Sequence, residues 1–288
     1  MAFFEHMTGL GDQDLTDLRR LAVKIRRDVV QMFASSGTSH IGSALSIVEI
    51  LTALYFHVLR VSPEKTQFKS RDRFILSKGH ACAALYATLA HKGFFDRACL
   101  KTYCSESSEL PGHVTLHTVP GVEVTTGSLG HGLSIGAGMS FASKHDRLDC
   151  RIFVLLSDGE CDEGSTWEAA MFASHHKLDN MVAIVDYNKL QSFGRVREVL
   201  ELEPFADKWR AFGWGVREVD GHDLIQIIRA LENTPFERNK PSAVIAHTIK
   251  GKGVSFMEDK LEWHYKSPTP EQARMALKEL QTNEESVC

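Results

Sequence analysis

No Cys-x-x-Cys pair occurs in this sequence, and none of its six cysteines (Cys82, Cys99, Cys104, Cys150, Cys161 and Cys288) has zinc-ligand spacing. A chain of 288 residues, 43% of them hydrophobic, holds enough core to fold without crosslinks, so all six read as reduced thiols. Cys161 sits among carboxylates that disfavour its thiolate, which argues against a nucleophilic role. No apolar run reaches the ~18 residues of a membrane span, and the opening "MAFFEHMTGLGDQDL" lacks the charged and apolar regions of a secretory signal. The expectation is a cytoplasmic protein with no membrane partner. Lys and Arg are scattered among acids and the net charge is -4, so the chain offers no electrostatic footprint for nucleic acid. Missing as well are the G-x-x-x-x-G-K-[ST] loop and a dinucleotide fingerprint after a strand, which excludes the common nucleotide-binding enzymes.

What is present is an alternation of short apolar runs and helix-length segments. From Asp14 to Phe33, Leu15, Leu18, Leu21, Ala22, Ile25, Val29 and Phe33 recur at helical spacing, and Gly37 is placed to stop that helix. A second helical run, "LSIVEILTALYFHVLR", follows. Then come five strand-like runs: "FILS" (74–77), "IFVLL" (152–156), "MVAIVD" (181–186), "WGVREV" (214–219) and "AVIAHTI" (243–249). Strands alternating with helices predict an α/β fold, a parallel sheet flanked by helices, in one domain across 1–288 with a helical N-terminal lead-in.

Ligands of such sheets bind beyond the carboxyl ends of the strands, and here those loops read "SKGH", "SDGECDEG", "YNKLQSFG", "DGHD" and "KGKG". A further loop, "VTTGSLGHGLSIGAGMS", is rich in glycine, which lets backbone N–H groups approach an anion. The stretch 151–190 has the pattern of a β-α-β unit. Ser165 and Glu168 match a capping box, predicting a helix from about Thr166 to Lys177. Asp158 and Asn188 then lie at the ends of neighbouring strands, two hard oxygen ligands suited to Mg²⁺ with room left for a diphosphate.

These residues resemble the diphosphate-binding part of transketolase, a thiamine diphosphate enzyme. The resemblance rests on "SDGECDEGSTWEAAMFASHHKLDNMVAIVDYNKLQ" together with "SSGTSHIGSA", "RDRFILSKGHACAALYA", "LPGHVTLHTVPGVEVTTGSLGHGLSIGAGMS", "HTIKGKGVSFMED" and "EWHY", in that order. It implies that Asp158, the Asn188 side chain and the Leu190 carbonyl hold the metal, Mg²⁺ or another divalent cation such as Ca²⁺ or Mn²⁺, and that Gly159 allows the close turn. Gly127, Leu129 and His131 match the loop beside the cofactor, and Lys78 and Lys250 match lysines turned toward the cleft. His80 and His264 resemble histidines near the diphosphate and substrate, and His40 and His113 resemble those lining the substrate channel. Glu163 resembles an acid at the dimer interface. Glu160 and Asp162 are assigned to a solvated loop, and His91, His145, His175, His176 and His222 to surface or packing positions.

The implied activity is transfer of a two-carbon ketol group from a ketose, a sugar phosphate or similar anionic sugar, to an aldose. The cofactor acts as electron sink and histidines serve the proton transfers. Ser157 stands where the family has a leading Gly, Tyr187 precedes Asn188, and Tyr265 follows His264 where Gly is common. The pyrimidine-binding and C-terminal domains of full-length members are absent from this sequence. The resemblance therefore implies a separate C-terminal transketolase subunit, in an α2β2 heterotetramer. A deoxyxylulose-phosphate synthase relative and a non-catalytic cofactor-binding paralogue are the alternatives.

Overall fold

The computed structural model describes residues 10–286. The first nine residues of the opening segment and Cys288 lie outside the described residues, so the readings made on them are not addressed by the structure. In chain order the elements are α1 (Asp12–Ser36), α2 (Ile41–Leu45), α3 (Val48–Ala53), β1 (Arg73–Leu76), α4 (Cys82–Lys92), α5 (Gly132–His145), β2 (Ile152–Ser157), α6 (Gly164–His175), β3 (Met181–Tyr187), α7 (Val196–Val199), α8 (Phe205–Ala211), β4 (Gly215–Asp220), α9 (Leu224–Glu232), β5 (Ser242–His247) and α10 (Pro270–Ser286). The strands form one sheet in the order β1-β2-β3-β5-β4, and every neighbouring pair is parallel. The five runs read from the sequence thus become the five strands, their limits shifted by two residues or fewer.

Why those runs are continuously apolar follows from where their side chains go. Phe153 and Leu155 of β2, Val182 and Ile184 of β3, and Val244 and Ala246 of β5 enter a core shared with α1, α2, α3, α4, α9 and α10. Their alternates Ile152, Val154, Leu156, Met181, Ala183, Val185, Ala243 and Ile245 enter a second core under α5, α6 and α8. A strand buried on both faces needs apolar residues at every position. The edge strand β4 is not apolar throughout: Arg217 and Glu218 are exposed.

Helix α1 ends as expected at Gly37, whose φ of 65° lies in the left-handed region that favours glycine. The second helical run does not form one helix. Its first residue ends α2, and the rest divides between α3 and a π turn over Leu54–Val58. At the first break Ser46 turns its hydroxyl to the Ser43 carbonyl (3.0 Å) and to the buried Asp186 carboxylate (2.7 Å), a tertiary partner that periodicity cannot reveal. No helix among the described residues is long and apolar enough to cross a membrane.

Candidate functional site

All five strands point their carboxyl ends the same way, and β1, β2, β3 and β5 deliver their loops to one cleft of about 240 Å³. His40, Lys78, His80, His113, Gly127, Leu129, Asp158, Gly159, Asn188, Leu190, Lys250 and His264 all line it. Two residues of the expected set do not. His131 is exposed, its Nδ1 3.1 Å from the Leu129 carbonyl, and Glu163 is exposed at the start of α6.

The floor is built from strand ends. Asp158 follows β2 and is 2% exposed; its two carboxylate oxygens accept the backbone N–H groups of Gly159 (2.7 Å) and Lys189 (2.6 Å). Asn188 follows β3, with Oδ1 accepting the Leu190 N–H (3.1 Å) and Nδ2 donating to Asp186 (3.0 Å). Lys189 between them has φ 64°, a left-handed residue that turns the chain so that Asn188 and the Leu190 carbonyl serve the same cleft. Burial pushes the Asp158 carboxyl up to about 6, and the neighbouring Asp186 charge adds to that shift.

Lysines in polar loops are ordinarily solvated, yet both here are buried. Lys78 is 0% exposed and donates to Asp186 and to the Ser43 carbonyl (3.1 Å). Asp186 also accepts from Thr248, Ser46 and Asn188, so the last carboxylate of β3 joins α2, β1, β3 and the loop after β5. The Lys78 and Thr248 donors hold its carboxyl below the usual range against the opposing effect of burial. Lys250 donates to the Leu190 carbonyl (2.7 Å) and lies 2.9 Å from His264 Nδ1; burial lowers it to about 8. A charged Lys250 makes Nδ1 of His264 the acceptor and leaves the ring proton on Nε2.

The wall is a histidine cluster. The His40 ring centroid lies 5.0 Å from His80, 5.9 Å from His113 and 5.2 Å from His264. Burial, with His113 and Lys250 nearby, lowers His40 to about 4; burial with Lys250 and His40 lowers His264 to about 3; His80 is pushed well below its ordinary value, chiefly by burial. All three are neutral near pH 7; with the His264 lone pair taken by Lys250, His40 and His80 are the two able to accept a proton. Gly127, with φ 149°, lets the His113 ring close in, since a Cβ there would stand 3.0 Å from it.

Two readings from the sequence need correcting. Glu160 is not in a solvated loop: it is 0% exposed, and its carboxylate accepts from the Ser77 hydroxyl, the Gly130 N–H (2.9 Å) and the Ser157 N–H (3.4 Å). Asp162 is half-buried and accepts from Gln191 Nε2 at 2.8 Å. Nor does Ser165 cap α6, which begins at Gly164 with Glu163 before it and no side-chain cap; the Ser165 hydroxyl donates instead to the Gly130 carbonyl (2.9 Å). Asp186 escaped the sequence reading altogether, although a carboxylate closing the apolar run "MVAIVD" is itself a signal, because a buried charge demands partners. Cys161 is buried, and burial with the adjacent Glu160 raises its thiol well above the ordinary value, in keeping with an inert role.

The donor types suit a hard divalent cation: a carboxylate, an amide oxygen and a backbone carbonyl belong to residues lining one cleft, and the carbonyl accepts the Lys250 ammonium. Among the described residues no group of three or more His, Cys, Asp or Glu has metal-ligand geometry, so a cation here depends on Asn188 and a carbonyl and would need ligand oxygens from outside the protein. A polar cleft of this kind, at the carboxyl edge of a doubly covered parallel sheet, is where open α/β domains bind their ligands. The family described as transketolase, thiamine diphosphate binding domain, matches residues 17–283, and the chain belongs to the transketolase family. It is 48% identical over 257 residues to an apulose-4-phosphate transketolase subunit of Phocaeicola vulgatus, covering 89% of this chain and 91% of that protein. With a 6-deoxy-6-sulfo-D-fructose transketolase subunit of a Clostridium species it shares 44% identity over 265 residues, 92% of this chain and 96% of the relative. Human transketolase is 38% identical over 272 residues, 93% of this chain but 42% of the human protein. Campylobacter jejuni transketolase superimposes with a TM-score of 0.83 at 28% identity, covering 96% of this chain and 48% of that one. The chain thus spans about half the length of the solved transketolases it matches.

Proposed function

We propose that this chain is the diphosphate-binding subunit of a two-chain transketolase, moving a two-carbon ketol group from an anionic ketose to an aldose with thiamine diphosphate and Mg²⁺. The observation that carries the reading is the convergence, in one cleft, of Asp158, Asn188 and the Leu190 carbonyl with two buried lysines and three neutral histidines. Asp158, Asn188 and the Leu190 carbonyl would hold the cation, and through it the diphosphate. Thiamine diphosphate supplies a nucleophilic carbon and an electron sink when bound. Lys250 fixes the His264 tautomer, leaving Nε2 as a donor, and would supply positive charge to a bound diphosphate. Neutral His40 and His80 accept protons from sugar hydroxyls in the channel.

The names of the two similar bacterial subunits, one with a phosphate and one with a sulfo group on the sugar, support an anionic ketose as donor. Their naming as subunits, and the half-length match to solved transketolases, support a separate C-terminal chain that completes the site. The test is to express this chain with and without a candidate C-terminal partner, then to assay ketol transfer over a panel of phosphorylated and sulfonated ketoses. Activity is expected only from the pair, dependent on Mg²⁺ and thiamine diphosphate, and reduced at least about a thousandfold in Asp158→Ala. Turnover by this chain alone, or an undiminished Asp158→Ala pair, overturns the proposal.

A further inference from the structure

Glu160 does not line the cleft, yet donors from two other loops and from the end of β2 meet on its carboxylate. Ser77 opens the loop after β1, just before Lys78 and His80. Gly130 ends the glycine-rich segment that carries Gly127 and Leu129 into the cleft, and Ser157 precedes Asp158 at the end of β2. Glu160 also donates its own backbone N–H to the Ser157 hydroxyl oxygen (3.2 Å) and accepts the Thr166 hydroxyl on its carbonyl (3.0 Å), so its backbone is held as firmly as its side chain. All three groups facing the carboxylate are donors, an arrangement that satisfies a carboxylate and mismatches a carboxamide. The loop is closed from its other side as well. Gly130 accepts the Ser165 hydroxyl, and a Cβ on Gly130 would stand 2.5 Å from that hydroxyl and 2.7 Å from Glu163 Cβ. Gly132 is equally tight against Ser77, where a Cβ would lie 2.1 Å from the hydroxyl oxygen.

We infer that Glu160 is a positioning residue for the cofactor cleft: its buried carboxylate holds the loop 127–131 and the Lys78 loop at a fixed separation from the Asp158 turn. The inference rests on the reading of the cleft as a thiamine diphosphate site, and it adds the residue that sets the distance between the walls. A residue of this kind governs how well the preformed cleft binds rather than the reaction within it.

The test pairs a ligand-free measurement with a binding one. In the chain alone, amide hydrogen exchange of peptides covering 127–131 is expected to speed up about tenfold or more in Glu160→Gln, with β3 unchanged. In the complex with the C-terminal partner, with Mg²⁺ saturating, calorimetric titration with thiamine diphosphate is expected to show affinity weakened about tenfold, while kcat at saturating cofactor stays within about twofold of wild type. Ser77→Ala, which removes a single donor, is expected to weaken affinity less and to add little on top of Glu160→Gln, the coupling of two groups in one network. Unchanged exchange at 127–131, or additive effects of the two substitutions, overturns the clamp. A wild-type complex that binds no thiamine diphosphate overturns the functional reading instead, and the exchange experiment still decides the role of Glu160.

Discussion

His40, His80 and His264 stand in the cleft with proton affinities far below that of a free imidazole because burial and the nearby lysine charges both oppose an added proton. That has a consequence for stability. Between the unfolded value of 6.5 and the folded values, about 4 for His40 and about 3 for His264, the unfolded chain binds more protons than the folded one. Stability therefore falls as pH drops through that window. The urea midpoint is expected to decline steadily from pH 7 to pH 4.5. His40→Asn, chosen because asparagine tolerates the left-handed φ of 84° at this position, is expected to flatten that decline by about 2 kcal/mol, a figure reduced for the partial exposure of the ring. An unchanged pH slope in the variant would mean that His40 is not the neutral, buried base described. That Asp158 and Asn188 share a cleft was legible from the sequence, because a short motif places them at the ends of adjacent strands. Glu160 and Asp186 were not, for a shared reason. Their partners come from segments as distant as Ser77, Gly130, Lys78 and Thr248, and a carboxylate read without its neighbours looks solvated whether or not it is.

Strands were easier to read than helices, and the cause lies in the sheet. A strand buried on both faces is apolar at every position, a pattern few other environments impose, so β2, β3 and β5 stood out. Helical boundaries depend on hydrogen-bond partners that tertiary structure can reassign: Ser46 left its helix for Asp186, and Ser165 gave its hydroxyl to Gly130 rather than to the amides of α6. Helix α5 allows a test at this scale, because its glycines face opposite ways. A Cβ on Gly136 would lie 2.5 Å from Val154 Cγ2 of β2, whereas Gly138 is exposed with nothing within 4 Å. Gly136→Ala must push the helix off the sheet and is expected to cost about 1–3 kcal/mol. Gly138→Ala removes only backbone freedom and is expected to stabilise by about 0.5–1 kcal/mol. Urea unfolding of the two variants, measured side by side, checks the sign as well as the size. Equal effects would contradict the close approach of α5 to β2.

At the scale of the whole molecule, the proposed function gives a cation three oxygens of this chain, a carboxylate, an amide and a carbonyl, from residues of a cleft that other loops line with lysines and histidines. Three ligands do not complete the six-coordinate shell that Mg²⁺ prefers, so cation and diphosphate should each bind weakly alone and tightly together, every one completing the site for the other. Thermal unfolding of the chain reports this directly, since a ligand that binds only the folded state raises the midpoint in proportion to the logarithm of its excess. Mg²⁺ alone, or thiamine diphosphate with a chelator, is expected to shift the midpoint by no more than about 1 °C, whereas both together at roughly a hundredfold excess over the dissociation constant should raise it by about 5 °C. Asp158→Ala removes the one charged ligand and is expected to abolish the joint shift while leaving the sheet, judged by circular dichroism, intact. A midpoint that rises equally with either component alone would show that the two bind independently. In that case Asp158, Asn188 and the Leu190 carbonyl do not hold a cation that bridges to the diphosphate.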